Sequence, residues 1–231
     1  MNTENIDVLV IGAGPSGTIA ASIINKNGLT VKIVEKQKFP RFVIGESLLP
    51  RCMEHLEEAG LLEAVKKKGF QEKFGAKFLK DDKSCEFNFS EQHTKGWTWT
   101  WQVPRADFDK TLADQAEASG IAIDYETAVT EVQFYGTDSI AIVQDKHGNK
   151  KQIKSRYIID ASGYGRVLPG LLNLEKPSNF PPRSAMFTHF KDPNRPDGDD
   201  KNRIIIIAHT RDVWIWIIPF SNGITSVGYA G

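Results

Sequence analysis

Cysteine is scarce. Cys52 and Cys85 are the only two in 231 residues, too few for a disulfide framework and without the spacing of a metal site. A reducing, cytoplasmic setting is therefore the expectation. His55, His93, His147, His189 and His209 form no HxxxH or HExxH pair, so no zinc site is expected. Net charge is absent as well. The 29 Lys and Arg balance 29 Asp and Glu, which removes any global attraction to nucleic acid or an anionic membrane. Val8 to Ile24 carries no charge, yet Gly12, Gly14, Pro15 and Gly17 interrupt it and no basic residue precedes it, so neither a signal peptide nor a membrane span is expected. There is no repeat and no low-complexity tract. With 40% hydrophobic and 25% charged residues the chain reads as ordinary globular protein, long enough for one large domain or two small ones.

What is present begins with Asp7 to Ile11, a β-branched apolar run suited to a parallel strand buried on both faces. Gly12-Ala13-Gly14-Pro15-Ser16-Gly17 then turns into a helix from Thr18 to Lys26, ended by Asn27-Gly28. Leu29 to Glu35 is a second strand. In this context GxGxxG has a physical meaning: Gly12 permits a tight turn, Gly14 lets a pyrophosphate approach the backbone, and Gly17 lets helix and strand pack closely. The helix start, with its free N–H groups and positive dipole end, suits phosphate. Glu35 can accept hydrogen bonds from a ribose, and its charge disfavours a 2′-phosphate. The fingerprint by itself serves NAD and FAD alike.

Further on, Pro50 to Lys68 reads as helix interrupted at Gly60, and Phe74–Leu79 with Cys85–Phe89 as a hairpin. Trp97, Trp99 and Trp101 alternate as in a strand with one aromatic face, and Asp107 to Ser119 is a helix with Phe108, Leu112 and Ala116 on one stripe. Strands follow at Ile121–Tyr125, Ala128–Phe134, Ser139–Gln144 and Gln152–Asp160. The segments Phe187–Phe190, Arg203–His209, Val213–Pro219 and Ile224–Tyr229 predict an antiparallel sheet, with Lys191–Asn202 as a mobile hairpin tip.

Several segments resemble the flavin-dependent halogenases, a family within the aromatic-hydroxylase-type flavoproteins. Phe39-Pro40-Arg41-Phe42-x-x-Gly45-Glu46-Ser47-Leu48 is similar to their GES-type segment, and Gln102-Val103-Pro104-Arg105-Ala106-Asp107-Phe108-Asp109 to their arginine-bearing segment. Tyr157-Ile158-Ile159-Asp160-Ala161-Ser162-Gly163 is similar to their second flavin fingerprint, and Trp214-Ile215-Trp216-Ile217-Ile218-Pro219 to the WxWxIP signature. This resemblance implies FAD, held by Gly12, Gly14, Pro15, Ser16, Gly17, Glu35, Lys36, Arg41, Glu46, Ser47, Arg105, Val129, Asp160 and Gly163. Arg41 and Arg105 would meet its phosphate-ribityl region, the Val129 backbone its adenine, and Asp160 would anchor a loop beside it. From the residues alone, Arg105 and Asp109 could instead pair along their helix. Phe70 to Phe78 resembles the segment that carries the family's catalytic lysine, which makes Lys73 the candidate. Lys66, Lys67, Lys68, Lys77 and Lys80 surround it, and such a run also suits a solvated face. Trp99, Trp101, Trp214 and Trp216 would line a substrate pocket.

The expected fold is α/β: a Rossmann-like FAD-binding domain (1–70 and 105–165) interleaved with an antiparallel substrate sheet (71–104 and 166–231). The resemblance matches only the N-terminal part of such flavoproteins, so a C-terminal truncation is expected. The implied function is a halogenase-like or monooxygenase reaction through a flavin hydroperoxide on a small, aromatic substrate, with a separate flavin reductase as a possible partner. A geranylgeranyl-reductase-type alkene reductase and a non-catalytic nucleotide-binding fragment stand as alternatives.

Overall fold

A computed structural model describes residues 2–231 of the chain. Its elements in chain order are β1 (Thr3–Ile11), α1 (Pro15–Lys26), β2 (Val31–Val34), α2 (Arg51–Ala59), α3 (Leu62–Lys66), β3 (Gln71–Lys73), β4 (Gly75–Lys80), β5 (Lys83–Asn88), β6 (Thr100–Gln102) and α4 (Arg105–Ala118). Then come β7 (Ala122–Asp124), β8 (Thr127–Tyr135), β9 (Asp138–Asp145), β10 (Lys150–Asp160), α5 (Val167–Leu171), β11 (Ala185–Lys191), β12 (Arg203–Ala208), β13 (Trp214–Pro219) and β14 (Ile224–Ala230). They divide into two compact units. One comprises Met1–Val43, Leu56–Ala64 and Ala106–Pro177, the other Ile44–His55, Val65–Arg105 and Ser178–Gly231.

The first unit is built on a sheet ordered β7-β2-β1-β10-β9-β8. Its β7, β2, β1 and β10 run parallel, while β9 and β8 return antiparallel. A parallel strand covered on both faces needs apolar residues at every position, which is the pattern of β1. Val8 and Val10 enter one core with Ala21, Ile33, Ala116 and Ile121, and Leu9 and Ile11 enter the other with Val34, Val129 and Ile153. Each such side chain, once out of water, contributes roughly 2 kcal/mol. A charged side chain also enters this sheet: Lys32 of β2 is buried and held by Glu4 at 2.7 Å and Asp124 at 3.3 Å. Burial opposes its charge, but the two carboxylates outweigh burial and raise its pKa.

The second unit carries a sheet ordered β11-β14-β13-β12-β4-β5 and a small β3–β6 pair. The sheet is antiparallel as expected except at one joint, where β12 runs parallel to β4 and so takes in the β4–β5 hairpin. Two expectations are corrected. Lys191–Asn202 is no hairpin tip, because β14 and β13 lie between β11 and β12. The segment crosses between non-neighbours and is pinned by Asp200 Oδ2, which accepts from Lys77 Nζ at 2.6 Å. The Trp97–Trp101 strand shrinks to β6, yet its aromatic face persists as an edge-to-face ladder, Trp97 to Trp99 at 5.8 Å and Trp99 to Trp101 at 4.9 Å. Ring quadrupoles favour that packing without a strand backbone beneath every ring.

The tightest point of the first unit is the turn from β1 into α1. Gly12 has φ +100°, and a Cβ there would lie 2.7 Å from the Ala161 carbonyl oxygen. A Cβ on Gly17 would lie 1.9 Å from the Gly12 carbonyl oxygen. The third glycine is thus demanded by the turn itself as well as by helix–strand packing. Gly17→Ala is expected to lose roughly 2–3 kcal/mol of stability through this backbone clash, read by urea denaturation; a variant as stable as the parent contradicts the assignment.

Candidate functional site

In the first unit the glycine turn is fixed from the next strand. Glu35, buried at the end of β2, accepts the Ala13 amide with Oε2 at 2.9 Å and the Gln37 amide with Oε1 at 2.8 Å. Each carboxylate oxygen keeps a further lone pair, so Glu35 can brace the turn and still accept from a ligand. α1 begins with Gly14 at its N-cap and Pro15 at its first position, and no side chain caps it. Ser16 is exposed there. Arg41 lies alongside, its Nη1 3.4 Å from Asp109 Oδ2 and its guanidinium 4.7 Å from the Phe39 ring centre.

Three other expected positions belong to the same unit. Asp160, at the end of β10, accepts the Ser162 amide at 3.0 Å and the Leu168 amide at 2.8 Å. It thereby ties down the loop containing Gly163 (φ +57°) and the start of α5. Val129 packs its side chain in the core beside a β-bulge between Val129 and Glu131. Lys36 is exposed and lines a cavity of about 340 Å³ with Ala128, Thr130 and Gln144.

The second unit holds the remaining candidates. Among the lysines of the 66–80 stretch Lys73 stands apart: it is 3% exposed, Lys77 is half-buried, and Lys66, Lys67, Lys68 and Lys80 are exposed. Lys73 ends β3 with Nζ donating to the Leu48 carbonyl at 2.8 Å and lying 5.1 Å from the Phe89 ring centre. Burial pulls its pKa down to about 8, against a weak opposing influence of Cys52. Glu46 is buried, with Oε1 2.7 Å from His189 Nε2; among the described residues its Oε2 and the buried Ser47 Oγ have no hydrogen-bond partner. Arg105 Nη1 donates to the carbonyls of Ile44 at 3.1 Å and Gly45 at 3.2 Å. Trp101 is buried, Trp99 half-buried, and Trp214 partly open under the Arg183 guanidinium at 5.6 Å. Trp216 donates to Ser226 Oγ at 3.3 Å, its ring lying across Gly228 of β14.

A family described as FAD binding domain matches residues 5–226. The chain belongs to the FAD-binding-domain family. Among solved structures, this FAD-binding chain is similar to a flavoprotein/dehydrogenase from Cytophaga hutchinsonii, at 62% identity and TM-score 0.94, covering 99% of this chain and 56% of that one. It is also similar to CmlS, a flavin-dependent halogenase, at 32% identity and TM-score 0.89, covering 98% and 41%. Among characterised relatives, the 1H-pyrrole-2-carbonyl-(peptidyl-carrier protein) chlorinase of Pseudomonas fluorescens is 30% identical over 99% of this chain. The chain spans 56% of that relative's length. Among the described residues, no helix is long and apolar enough to cross a membrane.

The glycine turn fits FAD on its own geometry. A Cβ on Gly14 would meet only Arg41 Nη2, at 3.5 Å, which leaves open ground at an uncapped helix start. Arg41 Nε is buried and has no hydrogen-bond partner among the described residues, a donor still available to an anionic ligand. The structure brings Gly12, Gly14, Gly17, Glu35 and Arg41 together in the first unit, and Glu46, Ser47, Arg105 and Lys73 in the second. Sequence reasoning missed His189 beside Glu46, Asp109 beside Arg41 and Cys52 near Lys73. The alternation of Phe187 and His189 in β11 signals a shared sheet face, but nothing in the sequence brings His189 to Glu46, 143 residues away.

Lys73 also fixes a pH dependence. Its native pKa near 8 lies below the ordinary 10.5, so the folded state carries the cost of a buried charge below pH 8. Between pH 8 and 10.5 the unfolded chain binds a proton that the folded chain does not, and stability rises with pH across that window. The shift corresponds to about 3 kcal/mol. Lys73→Met, which loses about 1 kcal/mol of hydrogen bond, should be roughly 2 kcal/mol more stable than the parent at pH 7, with the gain vanishing by pH 10.5. Urea denaturation at both pH values checks this; a destabilised variant at pH 7 contradicts the buried charge.

Proposed function

We propose that this chain is the flavin-binding part of an FAD-dependent halogenase whose substrate is a small, electron-rich aromatic molecule. The observation that carries the reading is the single buried lysine of a lysine-rich stretch, Lys73, in a chain whose relatives include flavin-dependent halogenases. The first unit serves as the FAD-binding part, with the Gly12–Gly17 turn and Arg41 holding phosphate oxygens, Glu35 bracing the turn and Asp160 the loop after β10. The second unit serves as the substrate part. When bound and reduced, FAD supplies the activation of molecular oxygen.

The chain's own chemistry centres on Lys73 Nζ. Mostly protonated at neutral pH, it donates a hydrogen bond to the oxygen of hypohalous acid and makes the halogen more electrophilic. Its unprotonated fraction can take up the halogen directly, which desolvation favours by lowering the pKa. Burial excludes the water that would otherwise disperse or consume the oxidant. Trp214 and Trp216 offer aromatic surface to a planar substrate. A separate flavin reductase would deliver the reduced cofactor. A second reading, oxidoreduction without halide, is favoured by the 62% identity to a structure described as a flavoprotein/dehydrogenase.

The test uses the full-length protein with reduced FAD, exposed to air with chloride or bromide and a panel of pyrroles, phenols and indoles. Halogenated product by mass spectrometry is expected, with Lys73→Ala lowering its formation on the order of 100-fold or more while flavin absorption is unchanged. Hydroxylated or dehydrogenated product lacking halogen contradicts the reading, as does a fully active Lys73→Ala.

A further inference from the structure

Lys73 has a neighbour that the proposed chemistry leaves unused. Thr100 is its register partner in the β3–β6 pair, which places the two Cβ atoms about 5 Å apart on one face. Thr100 Oγ1 lies 3.6 Å from Cys52 Sγ. Lys73 Nζ reaches the Leu48 carbonyl at 2.8 Å, and the Cys52 amide donates to the Leu49 carbonyl at 3.0 Å. Amine and thiol are therefore both tied to the short segment that leads into α2. Each group also perturbs the other's titration through space. Burial pushes the Cys52 thiol up, so at neutral pH it stands as a thiol beside the lysine. Cys85, by contrast, is exposed.

We propose that Cys52 and Lys73 form an oxidation-sensitive pair that hypohalous acid closes into a reversible sulfenamide between Cys52 Sγ and Lys73 Nζ. Sulfur attacks the halogen of hypochlorous acid, forming S–Cl; the hydroxide released takes the thiol proton and leaves as water. The neutral Lys73 amine, roughly a tenth of the population at pH 7, then displaces chloride from sulfur and loses one proton. Amine, thiol and hypochlorous acid thus give sulfenamide, water and HCl; sulfur is oxidised by two electrons and chlorine is reduced to chloride. Attack by a neighbouring amine outruns attack by water because the two groups are already held together. The link stops sulfur at a level that thiols reverse, before sulfinic or sulfonic acid. It also withdraws Lys73 from turnover when oxidant accumulates without substrate.

This inference rests on the halogenase reading only for the source of oxidant during turnover, so the test supplies the oxidant from outside. Full-length protein is treated with equimolar hypochlorous acid, without FAD or halide, and mapped by mass spectrometry. A peptide pair joined through Cys52 and Lys73, ~2 Da lighter than its separate parts and split by dithiothreitol, is expected, and should be absent from Cys52→Ser and from Lys73→Met. Unlinked wild-type protein, with Cys52 unmodified or carried to sulfinic or sulfonic acid, overturns the proposal whatever the variants do. Neither result depends on a halogenated product, so the two readings can fail separately.

Discussion

Between β1 and α1 the backbone passes so close to Ala161, and back upon itself, that neither Gly12 nor Gly17 has room for a Cβ, and the carboxylate of Glu35 holds that passage by accepting the Ala13 amide. The rest of the first unit follows from this closure. Parallel β1, β2 and β10 bring the ends of three strands to one edge, where the turn, Glu35 and Asp160 all stand. A helix that starts there without a side-chain cap directs its unsatisfied amides outward. The buried apolar residues of β1 supply the stability that lets so constrained a turn persist.

The second unit solves a different problem. A lysine removed from water is costly unless something compensates, and what Lys73 has is a backbone carbonyl and an aromatic face. Its proton is consequently held loosely, which suits the role proposed for it, donating a hydrogen bond in one state and accepting an electrophile in the other. The same desolvation that tunes the amine keeps the adjacent Cys52 as a thiol.

Much of this was legible in the sequence because it depends on local pattern. Apolar runs predicted the parallel strands, the glycine spacing predicted the turn, and the Phe108, Leu112, Ala116 stripe predicted the buried face of α4. What escaped depends on contacts distant in sequence. Composition could not separate Lys73 from its five neighbouring lysines; the family resemblance singled it out, but its burial, in the β3–β6 pair, could not be read from the pattern. Nor could periodicity show that β12 joins β4, since parallel joints between distant strands leave no turn signal between them. The tryptophan run misled because its alternation reflects ring packing more than backbone pairing.

The most direct test of this account compares FAD affinity of the parent chain and Gly14→Ala by absorbance titration, with thermal melting of both alongside. At Gly14 φ is −67° and a Cβ would make only an ordinary contact with Arg41, so folding should be unaffected. The added methyl would nevertheless occupy the ground where a pyrophosphate approaches the backbone. Affinity should be lower by about tenfold or more, a loss of ~1.4 kcal/mol at least, at an unchanged melting temperature. Equal affinity in the two proteins would contradict it.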